Sequence, residues 1–384
     1  MTTTPVPPRY AEGSLSDLLP SVVSVLAGAP EGPDPLGLAP VLDGVRRIAV
    51  LLVDGLGYHL LPAVAQVAPV AADVLAGRLG TLTALTCGFP STTPTSLVSL
   101  GTGVAPGAHG ILGFTLNVPG TERVLNHVDW AGDPDPALWQ PVPTQFARAR
   151  DAGVTVTVVS RPEFAGSGLT VAAYRGSRYQ GAGDVEALAG QMLAALKADA
   201  PALVYGYHPA LDTAGHLSGV GSEPWKAAAA DVDRLLRLLV DGLPGDAALL
   251  VTADHGQLNV PAEHRFDIDA DARLAAGVRV VAGEPRVRYL HTVPGAAPDV
   301  LATWREVLGD AAWVAGREEA VAAGWYGPVP PAHRNRIGDV VVACRDTYAV
   351  LATAHESPVV AKLIGYHGSY TAAEMTIPLI LIRG

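Results

Sequence analysis

The sequence predicts an α/β protein with a mostly parallel central sheet flanked by helices and a smaller α+β insertion. Three observations carry this. Apolar runs of strand length recur at 48–53, 154–159, 202–207, 247–252 and 376–382. Helical segments at 184–199 and 224–243 alternate with them, as strands and crossover helices do in an α/β sheet. Between about 265 and 335 the rhythm changes to shorter strands, which marks the insertion.

Taken in order, residues 1–45 are rich in Pro and Gly and read as an irregular arm with one short amphipathic segment at 15–27. The run 48-IAVLLV-53 is wholly apolar and ends at Asp54-Gly55, as expected of a buried parallel strand with a carboxylate at its C-terminal end. After the strand 81-TLTALT-86 comes a stretch dense in Thr and Ser, where Pro94 marks a helix start and Thr93 falls at the N-cap. The helix at 224–243 carries its own signals: Ser222 to cap, Pro224 in the first turn and Gly242 at the end. In the insertion, strands at 278–283 and 286–292 precede a helix at 298–308. The core is expected to resume with the strand 337-IGDVVVAC-344, giving a core of 1–264 and 336–384 interrupted by a cap at 265–335.

Composition narrows the function. The chain has 384 residues, 49% hydrophobic, with a net charge of -11 and mean hydropathy of +0.28. No apolar run reaches the roughly 18 residues of a membrane span, so no membrane partner is expected. The N-terminus MTTTPVPPRY lacks the basic and apolar regions of a secretory signal, and a cytoplasmic location is the expectation. The acidic balance argues against a nucleic-acid polymer as partner, because such binding rests on Lys and Arg neutralising phosphates. Cys87 and Cys344 are too few for a disulfide framework and lack thiolate metal spacing, so any metal must use other ligands.

Ligands in open α/β sheets bind at the C-terminal ends of the strands. The chain places Asp or His at four such points: Asp54 after the first strand, Asp212 and His216 in LDTAGH, Asp254 and His255 in TADHG, and His367 in GYHGS. Singly, each has an ordinary explanation: Asp54-Gly55 is a turn, and His367 a hydrogen-bonded core histidine. Asp212 and His216, four apart, share one helix face. Together, three Asp and three His form a ligand set for two divalent ions about 3.5–4 Å apart, of a chemistry suiting zinc or manganese. Thr93, at a helix N-terminus near such ions, either caps the helix or serves as an activated nucleophile.

These residues, in this order, resemble a known family. VDG at 53–55, Thr93 before a Pro-containing helix start, TG at 102–103, HGI at 109–111, D-x-x-x-H at 212–216, ADHG at 253–256 and HG at 367–368 are similar to the nucleotide pyrophosphatase/phosphodiesterase branch of the alkaline phosphatase superfamily. The resemblance covers roughly 47–260 and 336–384. It implies that Asp54, Thr93, Asp254 and His255 hold one zinc ion and that Asp212, His216 and His367 hold the other. Thr93 would be the nucleophile, forming a covalent phospho-threonine, and a small phosphoester the substrate. Two departures stand out. The Asn that members of the branch carry shortly after HGI is replaced by LGF, with Asn117 a few residues on, and the Phe-Pro-Asn after the nucleophile is replaced by 94-PTS-96. A phosphatase or phosphonate hydrolase of the same superfamily is therefore the second reading, and a metal-stabilised binding protein the third. In the insertion, Arg286, Arg288 and His333 are either leaving-group contacts or surface charges on strands. Arg175 and Arg178 likewise either meet a phosphate or belong to a charged loop.

Overall fold

The structure, a computed structural model, describes residues 4–28, 32–197 and 201–384. Its central sheet contains strands β1 (Arg47–Val53), β2 (Thr81–Thr86), β3 (Thr155–Ser160), β4 (Arg178–Gly181), β5 (Ala202–His208) and β6 (Ala247–Thr252). The smaller sheet contains β7 (Val278–Glu284), β8 (Val287–Thr292), β9 (Ala312–Gly316) and β10 (Val340–Cys344), and the last strand of the chain, β11 (Thr376–Arg383), returns to the central sheet. The seven central strands lie in the order β2-β11-β6-β1-β5-β3-β4. β1 pairs in parallel with both β5 and β6, and β3 in parallel with β4 and β5.

β11 runs antiparallel to its neighbours β6 and β2. That reversal matters for the site, because the start of β11 then lies at the same sheet edge as the ends of the parallel strands. Residues just before β11 can therefore meet residues just after β1, β5 and β6.

β1 and β6 are buried along nearly their whole length, which is why their sequences are continuous apolar runs rather than alternating ones. Two helices carry functional side chains, α1 (Thr93–Thr102) and α2 (Ala210–Ser218), and α3 (Glu223–Asp241) packs against α2. In α3 the Ser222 hydroxyl accepts a hydrogen bond from Trp225 N, Pro224 lies in the first turn and Gly242 closes the end. Its buried apolar side chains, Trp225, Ala228, Ala229, Val232, Leu235, Leu236 and Leu239, follow the helical period. Each large one contributes about 1.5–3 kcal/mol through burial. The helix predicted at 184–199 spans Val185–Leu196, and residues 198 and 199 lie outside the described residues. Among the described residues no helix is long and apolar enough to cross a membrane.

The sequence reading needs two corrections here. The run 337–344 does not rejoin the central sheet: β10 lies between β8 and β9 in the antiparallel sheet β7-β8-β10-β9, although Ile337, Val341 and Ala343 pack into the main core. A short apolar run is compatible with either sheet, and only pairing decides. The charge-bearing stretch 161–179, read as a loop, includes a helix at Gly168–Tyr174 and runs into the edge strand β4.

The small sheet is locked to the core by a buried ion pair. Arg286 Nε and Nη2 donate to Glu374 Oε1 and Oε2 at 2.9 and 2.6 Å, and both side chains are fully buried. Glu374 also accepts from Ser369 N at 3.0 Å and from the Thr371 hydroxyl, so it braces the segment leading into β11. The N-terminal arm crosses the same segment, with Val6 N donating to Tyr370 O and Ala372 N to Thr4 O. Removing one partner leaves the other charge buried and uncompensated. Glu374→Ala is expected to destabilise the fold by about 3–5 kcal/mol, read as a lowered midpoint in urea unfolding.

Candidate active site

The turn after β1 is held against the turn after β6. Gly55 adopts φ +74°, and its N–H donates to Asp254 Oδ1 at 3.0 Å. A Cβ at Gly57 would come within 2.6 Å of the Gly256 backbone, so only glycine permits this approach. Asp54, Asp254 and His255 are thereby gathered at one point, all buried.

α2 begins just after β5 and carries Asp212 in its first turn and His216 in its last. Their side chains approach to 3.2 Å between His216 Nε2 and Asp212 Oδ2. His367 arrives from the segment before β11, its Nε2 3.1 Å from His216 Nε2 and 3.8 Å from Asp212 Oδ1. Its ring stacks on that of His255 with centroids 3.6 Å apart. Two clusters result: Asp54, Asp254 and His255 in one, Asp212, His216 and His367 in the other, with possible ligand atoms in each within 4.8 Å of one another. This is the division that the family resemblance implied.

The donor set fits divalent cations. All three imidazoles pair Nδ1 with a backbone carbonyl: His216 with Gly365 O at 2.7 Å, His367 with Ser91 O at 2.9 Å and His255 with Gly256 O at 3.2 Å. Each therefore turns Nε2 inward, the arrangement of metal-ligating histidines. Asp54 Oδ1 and Asp254 Oδ2 are buried and make no hydrogen bond, although His255 Nε2 lies 3.5 and 3.3 Å away.

Burial, and then the neighbouring carboxylates of Asp254 and Asp212, push the Asp54 carboxyl well above its ordinary value. Burial and His255 push the His367 imidazole well below its own. Burial lowers His216, but Asp212 outweighs it and the imidazole ends up raised; against its own burial, Asp212 is held low by His216 and His367. The upward direction at His216 reflects the demand of this acidic gap for positive charge. Two metal ions would supply it more fully.

Thr93 lies at the near edge of the first cluster, its Oγ1 3.1 Å from His255 Nε2. It is the first residue of α1, with Pro94 second and Thr92 at the N-cap, so the helix starts one residue earlier than the sequence suggested. Thr92 makes no side-chain capping bond. Ser96 braces the helix from below, donating to Asp254 O at 2.7 Å.

All seven sequence-predicted residues thus meet at one sheet edge. Other expectations are corrected. Asn117 does not reach the clusters: its Nδ2 donates to Thr121 O and Arg123 O within a hairpin. Arg286 and Arg288 are not surface charges, since both are buried, the second against Glu356. His333 is buried away from the clusters, with Nδ1 bonded to Gly107 O in the short helix Pro106–His109. Arg175 is tied to the carbonyls of Ala172 and Val142.

Two supporting residues escaped the sequence reading. The Tyr207 hydroxyl donates to Asp54 Oδ2, and burial followed by Asp54 holds its pKa well above the ordinary value, so the donor persists. Gln257 Nε2 donates to Asp212 Oδ1 at 2.9 Å, and its side chain packs where Gly215 leaves no Cβ. Gln257 lies only three residues past Asp254, a proximity that was the one available signal. Glu284, at the end of β7, also faces the site: a Cβ on Gly368 would come within 2.8 Å of its Cδ, and burial pushes its carboxyl up to about 8.

A cavity of about 960 Å³ opens over Asp54, Thr93, Asp212, His216 and His367. The sequence model of type I phosphodiesterase / nucleotide pyrophosphatase matches residues 48–370, most of the chain and all seven site residues. The chain belongs to that family. It is accordingly a phosphoric ester hydrolase of the alkaline phosphatase superfamily, and its family is one of two-metal-ion hydrolases.

Solved structures agree on the fold. Murine ectonucleotide pyrophosphatase / phosphodiesterase 5 superposes with a TM-score of 0.69 at 18% identity, covering 88% of each chain. The human protein of that name gives 0.68 at 16%, covering 88% of this chain and 87% of the other. Phosphonoacetate hydrolase from Sinorhizobium meliloti 1021 gives 0.67 at 20%, covering 88% and 90%. No curated protein sequence gives a significant match.

Gln257→Leu removes the hydrogen bond to Asp212 Oδ1 and leaves all seven site residues in place. It is expected to weaken cation binding at the Asp212 cluster by about 10–100-fold, measured by metal titration, with little change at the Asp54 cluster.

Proposed function

We propose that this family member is a two-metal phosphodiesterase acting through a covalent phospho-threonine at Thr93. The observation that carries the reading is the position of Thr93 Oγ1 at the start of α1, beside His255 and open to the same cavity as both ligand clusters. Asp54, Asp254 and His255, with the Thr93 hydroxyl, would hold one ion; Asp212, His216 and His367 would hold the other. Imidazole and carboxylate ligands in this ratio suit zinc, with manganese the second choice. Bound there, the ions would supply Lewis-acid stabilisation of phosphoryl charge and lower the pKa of hydroxyl groups beside them.

The residues of the chain then perform two displacements. Thr93 Oγ1 releases its proton to solvent and attacks phosphorus; the new O–P bond forms as the ester O–P bond breaks, and the leaving oxygen departs with the electron pair and takes up a proton from solvent. Water next attacks the phospho-threonine, releasing a phosphate monoester and restoring the Thr93 hydroxyl. The α1 N-terminus points its positive dipole end at the developing anion. The Nδ1 bonds to Gly365, Ser91 and Gly256 keep the three imidazoles oriented throughout. In support, an inactive threonine-to-alanine variant of the murine protein has been solved in complex with AMP.

A phosphonate hydrolase is the second reading, favoured by the fold match to phosphonoacetate hydrolase. The large cavity weighs against a substrate that small.

Thr93→Ala is expected to lower kcat for a p-nitrophenyl phosphodiester by a factor on the order of 10⁴ or more while metal content is retained. Acid-quenched wild type should yield a Thr93 peptide heavier by the esterified phosphoryl group. Full activity in Thr93→Ala would exclude the phospho-threonine.

A second expectation concerns metal removal. Dialysis against a chelator should abolish turnover and lower the thermal midpoint, and zinc should restore both, because ligands that bind only the folded state stabilise it.

A further inference from the structure

One buried carboxyl beside the site belongs to neither ligand cluster. Glu284 ends β7, lines the cavity and is 5% exposed, so its position resembles a core residue more than a surface acid. Its Oε1 is buried and makes no hydrogen bond. The arginines on either side of the next residue pair are already matched, Arg286 by Glu374 and Arg288 by Glu356. A buried polar atom left without a partner costs about 1–3 kcal/mol, so such an atom at a cavity wall points to a group that arrives from the cavity.

The surroundings of Glu284 say which group that is. It stands between the two halves of the site. On one side the Thr92 hydroxyl and the Phe114 N–H face its carboxyl, and Thr92 is the residue before the nucleophile. On the other, a Cβ on Gly368, the residue after His367, would come within 2.8 Å of its Cδ. Thr92 Oγ1 is likewise buried without a hydrogen-bond partner and does not cap α1. The strand end is fixed from below: Gly283 has φ +94°, its N–H donates to Thr115 Oγ1 at 2.9 Å, and the Thr115 hydroxyl donates to Gly283 O at 2.8 Å.

Burial pushes the Glu284 carboxyl up to about 8, against the opposing pull of the Thr92 hydroxyl and the Arg288 charge. Dications in the clusters would favour the ionised form, and a phosphoryl anion bound with them would favour the neutral one. Only the neutral form can meet that anion without repulsion, because it carries an O–H to donate. The neighbouring segment 112-LGF-114 brings no polar side chain to this point.

We propose that Glu284 is a catalytic residue whose acid form donates a hydrogen bond to a non-bridging phosphoryl oxygen at Thr93, with the Thr92 hydroxyl as the positioning group behind it. The inference rests on the phosphodiesterase reading and adds a donor that the Asp side chains cannot supply. No proton is transferred; the bond stabilises charge on the phosphoryl oxygens in the transition state, so its effect falls on kcat.

The test compares Glu284→Gln, Glu284→Ala and Thr92→Val with wild type on the zinc-loaded full chain, using methyl p-nitrophenyl phosphate as substrate and vanadate as a mimic of five-coordinate phosphorus. The Gln amide also donates, so Glu284→Gln should keep kcat within about tenfold of wild type, whereas Glu284→Ala should lose about 10²–10³-fold in kcat with little change in KM. Vanadate inhibition should weaken in the Ala variant by a similar factor and recover in the Gln variant, with zinc content unchanged in both. Thr92→Val should lose about 2–10-fold in kcat. A Gln variant as slow as the Ala variant, an Ala variant with the wild-type rate and vanadate affinity, or loss of zinc from either would overturn the role while leaving the phosphodiesterase reading in place. If the Ala variant does not fold, the other two decide: a Gln variant slowed by more than about 100-fold, or a Thr92→Val variant with the wild-type rate, would overturn it. A wild type that turns over no phosphodiester would overturn that reading, and the role with it.

Discussion

The structure depends on one electrostatic constraint: three carboxylates and three inward-facing imidazole nitrogens share a buried space at the edge of the central sheet. Carboxylates so close, with oxygens that make no hydrogen bond, are costly in a low-dielectric interior unless positive charge joins them. A pair of dications would meet that demand. Much of the surrounding architecture holds the six groups in place despite their mutual repulsion.

The sheet does this through strand direction. β1, β5 and β6 run in parallel and deliver Asp54, α2 with its Asp-His pair, and Asp254-His255 to the same edge. β11 runs the other way, so the segment before it brings His367 to that edge. The segment is in turn held from two sides, by the N-terminal arm and by Glu374, whose partner Arg286 belongs to the small sheet. The small sheet therefore does more than cover the site; it is one of the supports on which the His367 position rests.

Much of this was legible in the sequence because the relevant signals are local. A continuous apolar run followed by Asp or His can be read without knowing its neighbours, which is why Asp54, Asp254, His255 and the Asp212–His216 pair stood out. The start of α1 was placed one residue late because Pro is tolerated at either of the first two helical positions, so Pro94 fixes the helix start only to within a residue. What could not be read is what depends on pairing. Tyr207 and Gln257 acquire their partners only once β5 and β6 lie on either side of β1. Arg286 and Arg288 alternate with valine like a solvent-facing row, yet a second layer buries them. The run at 337–344 looks the same in either sheet, and its pairing with β8 and β9 left no trace in its composition.

The central claim is that the two clusters are cation sites, and anomalous diffraction from crystals of the zinc-loaded protein tests it most directly. Data collected on either side of the zinc absorption edge should show two peaks about 3.5–4 Å apart. One should lie among Asp54, Asp254, His255 and Thr93, and the other among Asp212, His216 and His367. A single peak, or peaks only at surface histidines with both clusters empty, would contradict the account.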